Sequence, residues 1–134
     1  MKENKWLSIG QISSISNISV PTVRFYEDKK LIWSIRTSGN QRRYHASMVR
    51  RIAIIKIAQR VGISLQEVND VFIDLPSNKT ATKNDWQRMS KKWNVQLNEK
   101  INSLLLLRDQ LDKCIGCGCL SLKQCPLRKE PEME

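Results

Sequence analysis

Between Asp85 and Lys113 the chain contains neither proline nor glycine, the residues that most readily end a helix. Within that run Trp86, Met89, Trp93, Leu97, Ile101, Leu104 and Leu111 recur at steps of three, four and seven. This spacing places side chains on one face of an α-helix. Such a helix would be roughly 40–45 Å long at about 1.5 Å per residue. Its apolar stripe has to be covered, and the rest of a 134-residue chain is too small to cover all of it. A coiled coil with a second copy is the simplest solution, with Trp86 and Trp93 in the seam or core.

Charge narrows the classes of partner. Lys and Arg outnumber Asp and Glu by 23 to 13, a net charge of +10. Basic chains of this size are most often drawn to nucleic acid. No apolar run approaches the roughly 18 residues that a membrane span needs. Residues 1–9 lack the apolar core of a signal peptide, so a reducing cytosol is the expected compartment.

The cysteines fit that setting. Cys114, Cys117, Cys119 and Cys125 are the only ones in the chain, spaced Cys-x2-Cys-x-Cys-x5-Cys. In a reducing compartment such clusters point to metal binding more than to disulfides. Gly116 and Gly118 separate the ligands and allow a backbone to wrap closely around an ion or cluster. The residues leave both an iron–sulfur cluster and zinc open. Structural zinc sites usually draw two Cys-x2–4-Cys knuckles from separate turns, and only one is present here.

The first half of the chain reads as a DNA-binding head. Ser8 and Gln11 form a capping-box pattern, followed by Ile9, Ile12 and Ile15 at helical spacing. Asn17 marks a turn, and Ser19-Val20-Pro21 opens a second helix with a cap residue and an early proline. Short helices joined this way suggest helix-turn-helix. Residues 31–44 then carry β-type stretches around Ser38-Gly39-Asn40, with Arg36, Arg42, Arg43 and Tyr44 placed to grip phosphates from a two-stranded wing. A helix over about 46–61 and another after the Ser64 cap complete the head; Pro76 ends it, and 77–84 reads as a linker.

Catalysis has no visible constellation. The sole histidine, His45, lies beside the wing without a paired carboxylate or nucleophile and reads as a surface or capping residue. Asp109 and Asp112 read as exposed helix charges. The chain is expected not to be an enzyme. A small basic iron–sulfur electron carrier is the rival from a different class, but it leaves the helix-turn-helix and wing unexplained.

In their order these pieces resemble the MerR family of transcription regulators. The matching residues are Ser8-Ile9-Gly10-Gln11-Ile12, then Val20-Pro21-Thr22-Val23-Arg24-Phe25-Tyr26-Glu27, then Leu31-Ile32. Ser38-Gly39-Asn40-Gln41-Arg42-Arg43-Tyr44 and Cys114-Ile115-Gly116-Cys117-Gly118-Cys119-Leu120-Ser121 are similar to its SoxR-type redox-sensing branch. The wing departs from the broad family: its glycine sits one place early, and Gln41 stands where many members carry tyrosine. Contacts at Asn40 and Gln41 are therefore not carried over.

The resemblance implies a mainly α fold with a winged helix-turn-helix head at 6–75 and a linker at 76–84. It implies a coiled-coil dimerisation helix at 85–113, a cysteine-rich cluster loop at 114–126 and a polar tail at 127–134. It further implies a cytoplasmic homodimer on double-stranded DNA at a palindromic promoter operator, working with RNA polymerase. Thr22, Arg24, Tyr26, Arg36, Arg42, Arg43 and Tyr44 would contact DNA, while Glu27 would be structural because phosphates repel a carboxylate. Cys114, Cys117, Cys119 and Cys125 would hold a [2Fe–2S] cluster whose oxidation drives promoter distortion and transcription in an oxidative-stress response. The alternative within the same class is a metal-ion-responsive regulator with zinc or another soft metal at the four cysteines.

Overall fold

A computed structural model describes residues 6–77 and 79–117. Its elements are β1 (Trp6–Leu7), α1 (Ile9–Ser16), α2 (Val20–Asp28), β2 (Ile35–Arg36), β3 (Arg42–His45), α3 (Met48–Arg60), α4 (Leu65–Phe72) and α5 (Lys83–Cys117). The chain divides into two compact units, residues 1–91 and 92–134. Among the described residues no helix is long and apolar enough to cross a membrane.

Local chemistry sets the helix starts. The Ser8 hydroxyl accepts from the Gln11 N–H at 3.1 Å, and the Ser8 N–H donates to Gln11 Oε1 at 2.8 Å, completing the capping box. Asn17 ends α1 in the left-handed region at φ 59, which asparagine tolerates. Ser19 caps α2 through the Thr22 N–H, and Ser64 caps α4 through the Glu67 N–H. Gly62 follows α3 at φ +89, a conformation that a side chain would strain.

The wing has one strand more than its sequence announces. β3 pairs antiparallel with β2 on one side and with β1 on the other, giving the order β1-β3-β2. Two residues are too few to show alternation in a sequence, which is why β1 is invisible there. The β2–β3 turn is closed by the Asn40 N–H on the Thr37 carbonyl at 2.8 Å. Asn40, not Gly39, takes the positive φ of 63.

Ile12, Val23, Leu31, Ile32, Tyr44, Met48, Ile52, Ile55 and Val68 are fully buried and form the core of the first unit. α1 packs on α2 and α3, and α3 on α4. Arg51 is buried among them, its guanidinium donating to the carbonyls of Leu31 at 3.4 Å and Pro76 at 2.9 Å. It stacks 5.8 Å from the Phe72 ring centre. Burial without a carboxylate partner pushes its pKa down to about 10. His45, read from the sequence as a surface or capping residue, is buried; its Nδ1 accepts the Ser47 N–H at 3.1 Å just before α3, which itself has no side-chain cap.

The long helix exceeds its expected span at both ends. Thr82 and Asp85 form a reciprocal cap, with N–H to side-chain oxygen distances of 2.8 and 3.1 Å, and start α5 at Lys83. At the other end the helix runs through Gly116 to Cys117. One glycine costs a helix only about 1 kcal/mol, too little to stop propagation. Met89 and Trp93 are buried within the chain, whereas Val95, Ile101, Leu104, Leu105, Leu106, Leu107 and Leu111 are exposed.

Both tyrosines of the chain are buried, Tyr26 at 5 % exposure and Tyr44 at 0 %. Burial raises both phenol pKa values above 10.0, and for Tyr44 a hydrogen bond to Glu27 adds to the rise. Raised native values mean that these phenols support the fold below pH 10 and cease to do so as pH climbs above it. In an alkaline titration phenolate absorbance should therefore appear together with loss of helical circular dichroism. Phenolate forming near pH 10 in an intact fold would contradict the burial.

Candidate nucleic-acid interface

The second helix of the head has two distinct faces. Val23 and Tyr26 point inward, and Glu27 is half-buried beside them. Pro21, Arg24, Phe25 and Asp28 are exposed, as expected on the opposite side of a helix turning 3.6 residues per turn. Arg24 thus stands on the outward face. Thr22 is half-buried, its hydroxyl 2.8 Å from that of Ser19 within the cap.

Both tyrosines expected at DNA have their hydroxyls engaged within the fold. The Tyr26 hydroxyl donates to Gln59 Oε1 on α3 at 3.1 Å, and the Tyr44 hydroxyl donates to Glu27 Oε1 at 2.6 Å. The rings of Tyr26 and Tyr44 lie in the core. In an Arg-Phe-Tyr-Glu run the sequence cannot say which aromatic residue turns inward. The i, i+3 pairing of Val23 with Tyr26 decides it, and Phe25, which sequence reasoning passed over, is the exposed one.

Glu27 joins the helix to the wing. One carboxylate oxygen takes the Tyr44 hydroxyl, and the other takes the Ser34 hydroxyl at 2.6 Å. Arg42 Nε lies 3.2 Å from Oε1 as an ion pair, without the alignment of a hydrogen bond. Hydroxyl-to-carboxylate bonds this short are among the stronger protein hydrogen bonds. The structural role expected for Glu27 is thus visible in three partners on the segment after α2.

The wing arginines are held by their own hairpin. Arg36 donates to the carbonyl and side-chain oxygens of Asn40 at 3.2 and 3.3 Å. Arg43 donates to the Arg42 carbonyl at 3.0 Å and to Gln41 Oε1 at 3.1 Å. Arg36 and Arg42 sit directly opposite across the β2–β3 pair. Like charges in that relation destabilise a sheet, so their juxtaposition concentrates positive charge at a cost to the fold. Arg36 and Arg42 thus share one face of the hairpin, while Arg43, opposite Ile35, lies on the other.

Of the cysteines, Cys114 is half-buried. Cys117 closes α5, so the first two cysteines lie three apart in the last helical turn and not in the loop expected from 114 onward. Cys119 and Cys125 lie outside the described residues.

Replacing Glu27 by Ala would leave Tyr44 and Ser34 without their acceptor and Arg42 without its counter-ion. Urea unfolding should show a loss of about 1–3 kcal/mol, the cost of unsatisfied buried donors. Tyr44→Phe, which removes only one donor, should cost less. Equal stability of Glu27→Ala and the natural chain would remove the carboxylate from its linking role.

Similarity to known proteins agrees with this geometry. Residues 7–73 match the model of the MerR HTH family regulatory protein, and residues 49–114 that described as MerR, DNA binding. The chain is 44% identical over 125 residues to an HTH-type transcriptional activator SoxR homolog of Chromobacterium violaceum, covering 93% of this chain and 84% of that one. It is 33% identical over 97 residues to the HTH-type transcriptional regulator TnrA of Bacillus subtilis, covering 72% and 86%. Among solved structures, a MerR family regulator lacking the sensor domain, HiNmlR bound to promoter DNA, aligns with 84% of this chain and 92% of its own at 18% identity and a TM-score of 0.48. On the family models and the relatives of high identity, the chain belongs to the MerR family of helix-turn-helix regulatory proteins.

Proposed function

We propose that this chain is a redox-sensing transcription activator of an oxidative-stress response, working as a cytoplasmic homodimer on a palindromic promoter operator. The observation that carries this reading is the placement of the cysteines. Cys114 and Cys117 end the same helix whose preceding turns expose Ile101, Leu104, Leu107 and Leu111. A sensor there is continuous with an uncovered apolar face. The likeness to a SoxR homolog over nearly the whole chain supports it.

Each part of the chain has a physical task in this reading. The outward face of α2 enters the major groove, while Arg36, Arg42 and Arg43 neutralise phosphates and fix register without reading sequence. The exposed leucines and isoleucine of α5 are covered by a second copy, since fully burying each side chain is worth about 1.5–3 kcal/mol. Four thiolates are a donor set that suits a [2Fe–2S] cluster. The cluster, when bound, supplies a one-electron change of charge. α5 then carries any displacement of its last turn into its own packing face. Distorting promoter DNA for RNA polymerase costs about 1–6 kcal/mol, which a coupling of about 1–3 kcal/mol can bias without driving alone.

Anaerobically purified protein should carry iron and acid-labile sulfide in equal amounts, with visible absorption that bleaches on reduction and an EPR signal in the reduced state. It should bind a promoter with a lengthened spacer in both redox states and activate transcription only when oxidised. Equal transcription from both states would refute the redox reading. A colourless protein loaded with zinc would replace it by the metal-ion-responsive one.

The DNA-facing arginines have a separate signature. Operator affinity should fall steeply with salt, and Arg42→Ala or Arg43→Ala should lower the slope of log K against log[salt] by about 0.9 for each phosphate left unneutralised. An unchanged slope would take that arginine out of the interface.

A further inference from the structure

We infer that Phe25 reads a thymine methyl group in the major groove and is a specificity-determining residue of the DNA-binding head. The inference rests on the DNA-binding function proposed above and adds to it a side chain that reads a base.

Phe25 is 44 % exposed on a helix whose inward face is marked by Val23 at 0 % and Tyr26 at 5 %. Pro21, one turn earlier on the same side, is also exposed and extends the apolar surface. The ring leans on Tyr26, with centroids 6.2 Å apart at an interplanar angle of 47°. Lys29 Nζ lies 5.5 Å from the ring centroid, so the ring is steadied from both directions without being covered.

Single exposed apolar residues are common on protein surfaces, and exposure alone would carry little. Position and chemistry carry the rest. Phe25 lies at the middle of the outward face of the second helix of a helix-turn-helix, between Arg24 and Lys29 in sequence, and both cations draw that face toward DNA. A phenyl ring has no donor or acceptor for a base edge or a phosphate. The apolar group that a major groove offers is the C5 methyl of thymine, and phenylalanine is among the side chains that pack on it. Desolvating ring and methyl together gains free energy from both, whereas a polar residue at this position would stay hydrated.

Deleting the methyl by itself tests the contact. The wild-type chain is used to select duplexes from a randomised library, and the strongest-bound duplex becomes the probe. Each thymine in it is replaced in turn by deoxyuridine, which removes only the methyl group. For at least one thymine in each half-site, replacement should weaken wild-type binding about fourfold, the equivalent of the ~0.8 kcal/mol of one buried methyl(ene) at 1.4 kcal/mol per factor of ten. The same replacement should leave Phe25→Ala binding unchanged, and Phe25→Leu should retain part of the discrimination. Because the ring is exposed, Phe25→Ala should melt within a degree or two of wild type, which a thermal scan checks.

If every replacement costs both proteins equally, the inference is overturned while DNA binding stands. Failure of the wild-type chain to enrich any duplex would overturn the DNA-binding reading and this one with it.

Discussion

The carboxylate of Glu27 is the point at which the recognition helix and the wing become one object. It takes hydroxyls from Tyr44 on β3 and Ser34 before β2, and it faces the Arg42 guanidinium. Without it α2 would be a short helix resting on α1, and the hairpin a set of short strands with opposed arginines. Isolated hairpins are marginal in water, and this one also bears the repulsion of Arg36 and Arg42. A half-buried acceptor with several donors therefore holds Arg42 in place. The Glu27 carboxylate is turned inward, against the Arg42 guanidinium.

A second constraint acts along α5. Its early turns bury Met89 and Trp93 within the chain, while its later turns expose a run of leucines. Surface of that kind marks a place where another molecule binds. Between the start of the helix and its last turn at Cys114–Cys117 there is no proline or glycine before Gly116 to absorb a bend. A helix of this stiffness suits the transmission of small shifts, because packed faces tend to switch between discrete arrangements and do not deform smoothly.

Much of the architecture was legible from residues alone. Ser8 with Gln11, Ser19 with Pro21, and Ser64 each announced a helix start that the hydrogen bonds bear out. These signals are local: a cap is satisfied within three residues of itself. The wing turn was legible for the same reason, although Asn40 and not Gly39 carries the positive φ. The third strand was not, since Trp6 and Leu7 become a strand only by pairing with His45 and Tyr44 far along the chain. The burial of His45, read as a surface or capping residue, was not legible either, since the Trp6 ring that meets it at 5.0 Å comes from far along the chain.

By itself, then, the sequence determined the helices, their caps, the basic charge and the four-cysteine motif, all of which depend on neighbours a few residues away. Only the tertiary structure decided which groups face outward. Tyr26 and Tyr44 are aromatic residues beside arginines, the usual dress of a DNA-contacting surface, yet each hydroxyl finds a partner across the fold in Gln59 or Glu27. A buried hydroxyl with a partner is stable, and a large ring gains more from the core than from water. That balance is settled by residues 33 and 17 positions away, and it leaves Phe25, without a hydroxyl, as the aromatic side chain on the recognition face.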